Sequence, residues 1–284
     1  MSKRILKEEI LDKYIQYLID EEKSTATIQK YVCDIRKFYN YVGDHTVITK
    51  QIVLDYKKHL QDLYKASSAN SMIVALNGFF LFNKWNELKI KTLRIQKSIF
   101  KVEKEELNDE EYGRLLETAK SKNNERLFML MQAICSTGIR VSEHKYITVE
   151  AVKKGYMTIH SKGKIRDIFF PKELKKGLFI YCQKHKIKTG PVFITSGGKV
   201  LDRSNIYRMM QSLCREARVD AKKVYPHNLR HLFAITYYTL EKDIIHLADI
   251  LGHSSIETTR IYLKSNGKEC QKVFNKMKLI RMIV

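Results

Sequence analysis

The chain has 284 residues, of which 44% are hydrophobic, so it is long enough to bury one large core or two smaller ones. Its formal net charge is +21, with 17 basic and 11 acidic residues in 1–98 and 35 and 20 in the remainder. A charge of this size favours a polyanionic partner, and nucleic acid is the usual one. The composition excludes wholesale disorder, and no run approaches the ~18 apolar residues of a membrane-spanning helix.

The cysteines and the first residues bear on the compartment. There are five cysteines without a C-x-x-C pair, which predicts neither a disulfide framework nor a metal site and favours core thiols in a reducing cytoplasm. The chain opens with Met1-Ser2-Lys3-Arg4 and a charged amphipathic stretch, which is not the pattern of a signal peptide. We expect a cytoplasmic, nucleoid-associated protein with no cofactor, no bound metal and no membrane partner.

The first 85 residues predict four helices, because apolar residues recur at helical spacing in four successive segments. The helices are expected over 5–22, from a cap at Ser24 or Thr25 to Gly43, from a cap at Thr49, and over about 68–85. These helices predict an all-α domain over residues 1–85. Residues 86–104 mix basic and β-compatible residues without a helical period, which predicts an extended basic linker, with a strand as the alternative.

A second domain over residues 105–284 is predicted to combine helices with a small sheet. Asn108 and Glu111 have the spacing of a capping box and predict a helix start. Residues 157–160 and 165–170 favour two strands joined by a turn at 161–164. Further helices are expected at about 125–136, 172–186, 204–217, 227–239, 244–251 and 255–263. The predicted fold class is mainly α with a small β-hairpin, as a four-helix domain followed by an α+β domain.

An ordered series of basic residues and a late tyrosine occupies this second domain. The series is Arg140, Lys162, His227, Arg230, His253 and Tyr262. Two guanidiniums can hold the non-bridging oxygens of a phosphodiester by forked hydrogen bonds. A lysine can protonate a leaving oxygen, and a phenol can attack the phosphorus and keep the bond energy in a covalent ester. The series therefore suits DNA strand transfer that needs neither a metal nor ATP.

The series resembles that of the tyrosine recombinases, the family of Xer recombinases, phage integrases and transposon integrases. The likeness covers the whole catalytic half, whereas the N-terminal helices fit the family's core-binding domain only in length and character. It implies a site-specific DNA recombinase in which Tyr262 forms a 3′-phosphotyrosyl bond. Arg140 and Arg230 would clamp the phosphate, and Lys162 would act as the general acid.

The resemblance also implies supporting roles. His227 would assist deprotonation of the tyrosine and contact the phosphate, and His253 would be a second donor to the phosphate. Glu143 would orient a histidine or the clamp, and His231 would give structural support. Two departures lie nearby, since His144 stands where leucine is common and Ser161 stands where glycine often precedes the turn lysine. Neither removes a catalytic group, but the second affects the expected geometry of the hairpin.

The expected assembly follows from the same resemblance. The partners would be double-stranded DNA and three further copies of the chain, as a homotetramer on two DNA sites that acts through a four-way junction. An accessory DNA-bending or directionality protein is a further candidate partner. The apolar tail over 267–284 is expected to dock on a neighbouring protomer, with packing in cis as the alternative. The length is that of simple-site members without an arm-binding domain.

Several functions are open at this point. The first is integration or excision of a mobile element, and the alternative is a chromosome-dimer-resolving Xer-type recombinase. A type IB topoisomerase-like enzyme and a non-catalytic DNA-binding protein are less favoured. A metal-dependent nuclease would need clustered carboxylates, whereas the acidic residues here are scattered among basic ones.

Overall fold

The computed structural model describes residues 4, 7–43, 47–95, 106–161, 164–253 and 255–260. The chain divides into two compact units, residues 1–97 and 98–284. Within the described ranges no helix is both long and apolar enough to cross a membrane. The predicted domain bounds of 1–85 and 105–284, with a linker at 86–104, stay a prediction.

The first unit is a helical bundle. Its helices are α1 (Glu8–Asp20), α2 (Thr25–Val42), α3 (Lys50–Leu63) and α4 (Ala66–Phe82), followed by a 3₁₀ turn at Asn86–Leu88. The side chains of Ser24 and Thr49 cap α2 and α3 as the sequence predicts, each accepting a backbone N–H three residues on. The helix α4 packs against both α2 and α3 and buries the rings of Phe79 and Phe80, so it forms the centre of this core.

The chain after α4 lies against the helices of the first unit. Asn77 donates to the carbonyl of Ile90 at 2.8 Å and accepts its N–H at 3.0 Å. Asn70, seven residues earlier on α4, pairs in the same way with both backbone groups of Leu93. Each asparagine amide thus forms the two backbone hydrogen bonds that a neighbouring β-strand would form with this extended segment. The first part of the predicted linker therefore belongs to the packing of the helical unit.

The second unit combines nine described α-helices with a two-stranded sheet. Its helices are α5 (Asp109–Ser121), α6 (Glu125–Thr137), α7 (Val149–Lys154), α8 (Lys172–Lys184), α9 (Arg203–Gln211), α10 (Cys214–Ala217), α11 (Pro226–Glu241), α12 (Ile244–Leu251) and α13 (Ile256–Thr259). The strands β1 (Tyr156–Ser161) and β2 (Lys164–Phe169) pair antiparallel, with Ile159 opposite Arg166. The predicted fold class, mainly α with a small hairpin, is confirmed.

The helix α6 is the centre of the second core. Its residues Leu127, Leu130 and Ile134 are fully buried, and the helix packs against α5, α8, α9 and α11. The contact with α11 matters most for function, because α11 carries the predicted His-x-x-Arg pair. The predicted capping box at the start of α5 is present, with Asn108 and Glu111 each accepting the other's backbone N–H.

Three local predictions differ from the structure. A 3₁₀ helix at Val141–Tyr146 and the helix α7 occupy a stretch for which no element was predicted. The single helix expected over 204–217 is two helices, because the chain turns between α9 and α10. Of the described cysteines only Cys182 and Cys214 are buried, and Cys33 is exposed, so the expectation of core thiols was wrong for that residue. The tail over 267–284 lies outside the described residues.

Candidate active site

A cleft of the second unit gathers basic side chains from three parts of the chain. It encloses about 930 Å³ and is lined by the segment 139–142, the start of α9 and the start of α11. Its four arginines are Arg140, Arg203, Arg208 and Arg230. His227 and Tyr207 also line it. A cleft with this lining is suited to a phosphate group, since guanidiniums donate to phosphate oxygens in a forked geometry.

Arg140 is held by a buried carboxylate and a helix end. Its Nη1 lies 3.0 Å from Oε1 of Glu143, and its backbone N–H donates to Oε2 of the same residue at 2.7 Å. Its Nη2 donates to the carbonyl of Gly252 at 3.1 Å. The side chain of Arg140 is 37% exposed, whereas that of Glu143 is 6% exposed. The Arg140 side chain is therefore partly exposed while both terminal nitrogens of its guanidinium are hydrogen-bonded.

Glu143 has a second guanidinium on its other oxygen. Nη2 of Arg166, on β2, lies 2.7 Å from Oε2 of Glu143, and the Arg166 side chain is only 13% exposed. Burial lowers the pKa of the Arg166 guanidinium, and the charge of Glu143 opposes that shift. An arginine remains charged in proteins even so. The site thus contains a row of Arg140, Glu143 and Arg166, of which Arg140 is the exposed member.

Arg230 lies beneath the cleft and is 1% exposed. Its Nη1 donates to the carbonyl of Gly138 and its Nη2 to that of Leu251, both at 2.7 Å. These carbonyls belong to the last turns of α6 and α12, where helix backbone acceptors lack intrahelical partners. The negative end of each helix dipole favours a cation there. The guanidinium of Arg230 therefore joins the ends of two helices.

Glycines end both of those helices for a steric reason. Gly138 (φ +65°) and Gly252 (φ +63°) adopt the left-handed conformation that side chains disfavour. A Cβ at Gly138 would lie 2.3 Å from the ring of Phe233, and one at Gly252 would lie 2.1 Å from Nη1 of Arg166. The close approach of Arg166 to Gly252 brings the row of Arg140, Glu143 and Arg166 against the end of α12.

His253 is part of the same network. Its Nε2 lies 3.0 Å from Nη2 of Arg230, and its Nδ1 lies 2.8 Å from Oγ1 of the fully buried Thr259. Because a guanidinium only donates, Nε2 accepts and the ring is neutral, with its proton on Nδ1. Burial, followed by the charges of Arg230, Arg140 and Arg166, lowers the pKa of His253 to about 4. The imidazole is therefore uncharged at neutral pH in the DNA-free protein.

His227 sits in the first turn of α11, on the wall of the cleft. Pro226 occupies the first helical position, where its missing N–H costs no hydrogen bond. Burial lowers the pKa of His227, and the charge of Arg230 acts in the same direction. The positive end of the α11 dipole faces the same space and favours an anion. Both effects favour the neutral form of the His227 imidazole.

The remaining predicted residues are placed as follows. His231 lies one turn along α11 from the cleft, and its Nε2 is 2.6 Å from Oε1 of Glu106. Lys162 and Tyr262 lie outside the described residues. Among the described residues, no three His, Cys, Asp or Glu side chains form a group that could hold a metal ion.

The structure therefore brings most of the predicted series together. Direct contacts join Arg140 to Glu143 and Arg230 to His253, and both arginines reach the end of α12. Sequence reasoning missed Arg166 and Thr259, as well as the cleft-lining residues of α9. The strand pattern gave no signal for Arg166, because each face of the stretch 165–170 has two apolar residues and one charged residue.

Two protein families match the sequence of the chain. "Phage integrase family" matches residues 105–269, and "Phage integrase, N-terminal SAM-like domain" matches residues 11–87. The chain is 29% identical to the tyrosine recombinase XerA of Pyrococcus furiosus, over 100% of this chain and 99% of that protein. It is 27% identical to the tyrosine recombinase XerD of Staphylococcus aureus, over 94% of this chain and 98% of that protein.

Solved structures agree with these matches. The crystal structure of XerA recombinase aligns with 26% identity and a TM-score of 0.54, over 96% of this chain and 99% of that one. A lambda integrase fragment, solved as a dimer bound to a COC′ core site, aligns with 19% identity and a TM-score of 0.73. That alignment covers 98% of this chain and 99% of the fragment, and it shows a shared fold.

Since the first description covers more than half of the sequence, the chain belongs to the phage integrase family. The alignments with these two tyrosine recombinases cover almost the full length of both chains. The chain is an enzyme of that class, and it transfers DNA strands at specific sites. The family and the class of reaction predicted from the residues are confirmed.

Proposed function

We propose that this recombinase breaks and rejoins DNA through a 3′-phosphotyrosyl bond to Tyr262, with the scissile phosphate in the arginine-lined cleft. The observation that carries the proposal is the cleft itself, where Arg140 and His227 line one space above the buried Arg230. This arrangement supplies positive charge where a pentavalent phosphorus gains negative charge. The position of Tyr262, nine residues after His253, supports its assignment as the nucleophile.

The proton transfers can be assigned to groups of suitable charge. The oxygen of Tyr262 forms a bond to phosphorus while the bond from phosphorus to the 5′-oxygen breaks. The phenol proton passes to the neutral imidazole of His227, whose lowered pKa keeps its lone pair available in the DNA-free protein. The leaving 5′-oxygen takes a proton from Lys162. Reversal of these steps with a new 5′-hydroxyl rejoins the strand without ATP.

The two arginines have different parts in phosphate binding. Arg140 is exposed on the cleft and would contact a non-bridging oxygen directly. Arg230 lies deeper and would act on the phosphate from the floor of the cleft, with His253 beside it. His253 can donate to a phosphate oxygen only in its other tautomer. The hydroxyl of Thr259 permits that change, since it can donate to Nδ1 as well as accept from it.

The assembly and the biological task are part of the proposal. Four copies would act on two duplexes through a four-way junction, and a lambda integrase tetramer solved on a Holliday junction shares the fold. The full-length likeness to XerA and XerD favours an Xer-type task over integration and excision of a mobile element. A DNA-bending or directionality protein and association with the nucleoid complete the proposed setting.

A covalent trapping assay in EDTA tests the nucleophile. The substrate is a nicked duplex that carries the candidate site from the DNA flanking the gene, so that the released fragment cannot be rejoined. The natural chain is expected to give a protein–DNA adduct that survives SDS, and Tyr262→Phe is expected to give none. Tyr238→Phe is a matched control, because phenylalanine keeps the ring over which the Lys242 ammonium lies at 5.3 Å.

The alternatives give different results in the same assay. Strand cleavage without an adduct, appearing only when Mg²⁺ is added, would indicate a metal-dependent nuclease and contradict the proposal. If the protein forms the adduct and relaxes a supercoiled plasmid in a separate assay, but never joins a strand to a second duplex, it acts as a topoisomerase instead. Adduct formation by Tyr262→Phe would assign the nucleophile to another residue.

A further inference from the structure

We propose that Arg166 is a positioning residue of the strand-transfer reaction, and that it keeps Arg140 available to phosphate by neutralising the buried Glu143 carboxylate. This inference rests on the proposed function, since it concerns how Arg140 meets the scissile phosphate. It assigns a task to a strand residue that lies outside the predicted catalytic series.

The carboxylate of Glu143 contacts two guanidiniums, one through each oxygen. Oε1 of Glu143 is 3.0 Å from Nη1 of Arg140, and Oε2 is 2.7 Å from Nη2 of Arg166. Arg166 reaches Glu143 from β2, 23 residues further along the chain. Glu143 is 4% exposed, so its charge depends on protein partners rather than on water.

The net charge of Arg140, Glu143 and Arg166 together determines how strongly Arg140 attracts a phosphate. Two guanidiniums and one carboxylate leave a surplus of one positive charge. Arg166 is nearly buried, so that surplus is presented at Arg140, whose side chain is the exposed member. Without Arg166 the remaining pair would be neutral, and Arg140 would be held as the sole counter-ion of a buried carboxylate. Its attraction for a phosphate would then fall.

A second contact connects Arg166 to the same site. A Cβ added to Gly252 would lie 2.1 Å from Nη1 of Arg166, so the guanidinium packs directly on this glycine. The carbonyl of Gly252 accepts a hydrogen bond from Nη2 of Arg140. Arg166 therefore supports both groups that fix the orientation of Arg140, namely the Glu143 carboxylate and the Gly252 carbonyl.

The test compares rates of adduct formation in single turnover, with enzyme in excess over the nicked substrate. Arg166→Met is expected to lower this rate by about 100-fold, comparable to losing one oxyanion donor. Arg166→Lys keeps the charge and should stay within about tenfold of the natural chain. DNA affinity should fall no more than in Arg215→Met, a matched loss of one charge at an exposed position of α10.

The double variant separates charge balance from packing. Glu143→Gln removes the carboxylate that Arg166 neutralises, so Arg166→Met combined with Glu143→Gln restores the surplus charge on Arg140. We expect the double variant to react at least about tenfold faster than Arg166→Met alone. A role in packing alone would make the double variant equal to or slower than Arg166→Met. Arg166→Gln serves the same comparison if the methionine variant does not fold by circular dichroism.

The outcomes for the two proposals are distinct. If the natural chain forms no adduct that depends on Tyr262, the proposed function fails. If it does, and Arg166→Met reacts within about threefold of the natural rate or the double variant is no faster than the single one, only the role of Arg166 is overturned.

Discussion

Replacing Arg230 with methionine is expected to destabilise the second unit strongly, because this buried side chain joins the ends of two helices. Arg230 donates to the carbonyls of Gly138 and Leu251 at 2.7 Å and contacts His253 at 3.0 Å. Gly138 and Leu251 are buried, so water cannot replace the lost donor without local opening. Methionine keeps much of the side-chain length, which limits the contribution of an empty cavity.

The magnitude follows from the two carbonyls. Leaving a buried acceptor unsatisfied costs about 1–3 kcal/mol, so the pair gives about 2–6 kcal/mol. For a unit of the size of residues 98–284, 1 kcal/mol corresponds to about 2–4 °C. We therefore expect the midpoint of thermal unfolding to fall by about 4–24 °C.

The single tryptophan allows the two units to be observed separately. Trp85 packs against Phe79 and Phe80 in the first unit, so its fluorescence reports unfolding there. Far-ultraviolet circular dichroism reports both units. Arg230→Met should lower the midpoint of the dichroism change that belongs to the second unit. Arg230→Lys should give an intermediate value, because one ammonium lacks the fork that reaches both carbonyls.

The control is Arg215→Met, which removes an exposed charge and should leave the midpoint unchanged within about 1 °C, as surface substitutions usually do. If Arg230→Met unfolded at the same temperature as the natural chain, the hydrogen bonds to the two helix ends would contribute nothing to stability. Arg230 would then not be the residue that holds the ends of α6 and α12 together.

Two further predictions concern the neighbourhood of His253. Gly252→Ala should slow adduct formation more than Gly198→Ala. Both glycines have positive φ, but only at Gly252 would the new Cβ meet Arg166. Equal rates for the two variants would contradict a role for the contact between Arg166 and Gly252. The pKa of His253 is lowered to about 4 from 6.5, so the unfolded chain takes up the proton first as the pH falls. The natural chain should therefore lose unfolding free energy between about pH 6.5 and 4 more steeply than His253→Gln, and parallel pH profiles would show that His253 makes no such contribution.

Local signals predicted most of the secondary structure. Ser24, Thr49 and Asn108 each start a helix where the sequence places a cap, because the capping bond joins residues three positions apart. The helix α7 was missed although Thr148 caps it in the same way, since its six residues are too few to show a clear period.

The site was predictable where its residues share a motif and unpredictable where they do not. The pair His227 and Arg230 could be recognised because both lie on the first turns of one helix. The contacts of Arg166 with Glu143, and of Arg230 with the end of α6, join residues 23 and 92 positions apart. Such contacts depend on how α6, α11 and the hairpin pack together, which no local pattern encodes.

The most direct test of the account is to identify the residue that carries the DNA. The adduct trapped on a nicked duplex in EDTA would be digested with protease and nuclease, and the nucleotide-bearing peptide would be sequenced by mass spectrometry. We predict a 3′-phosphodiester on the oxygen of Tyr262 and on none of the other 15 tyrosines. A nucleotide on any other residue would contradict the central claim.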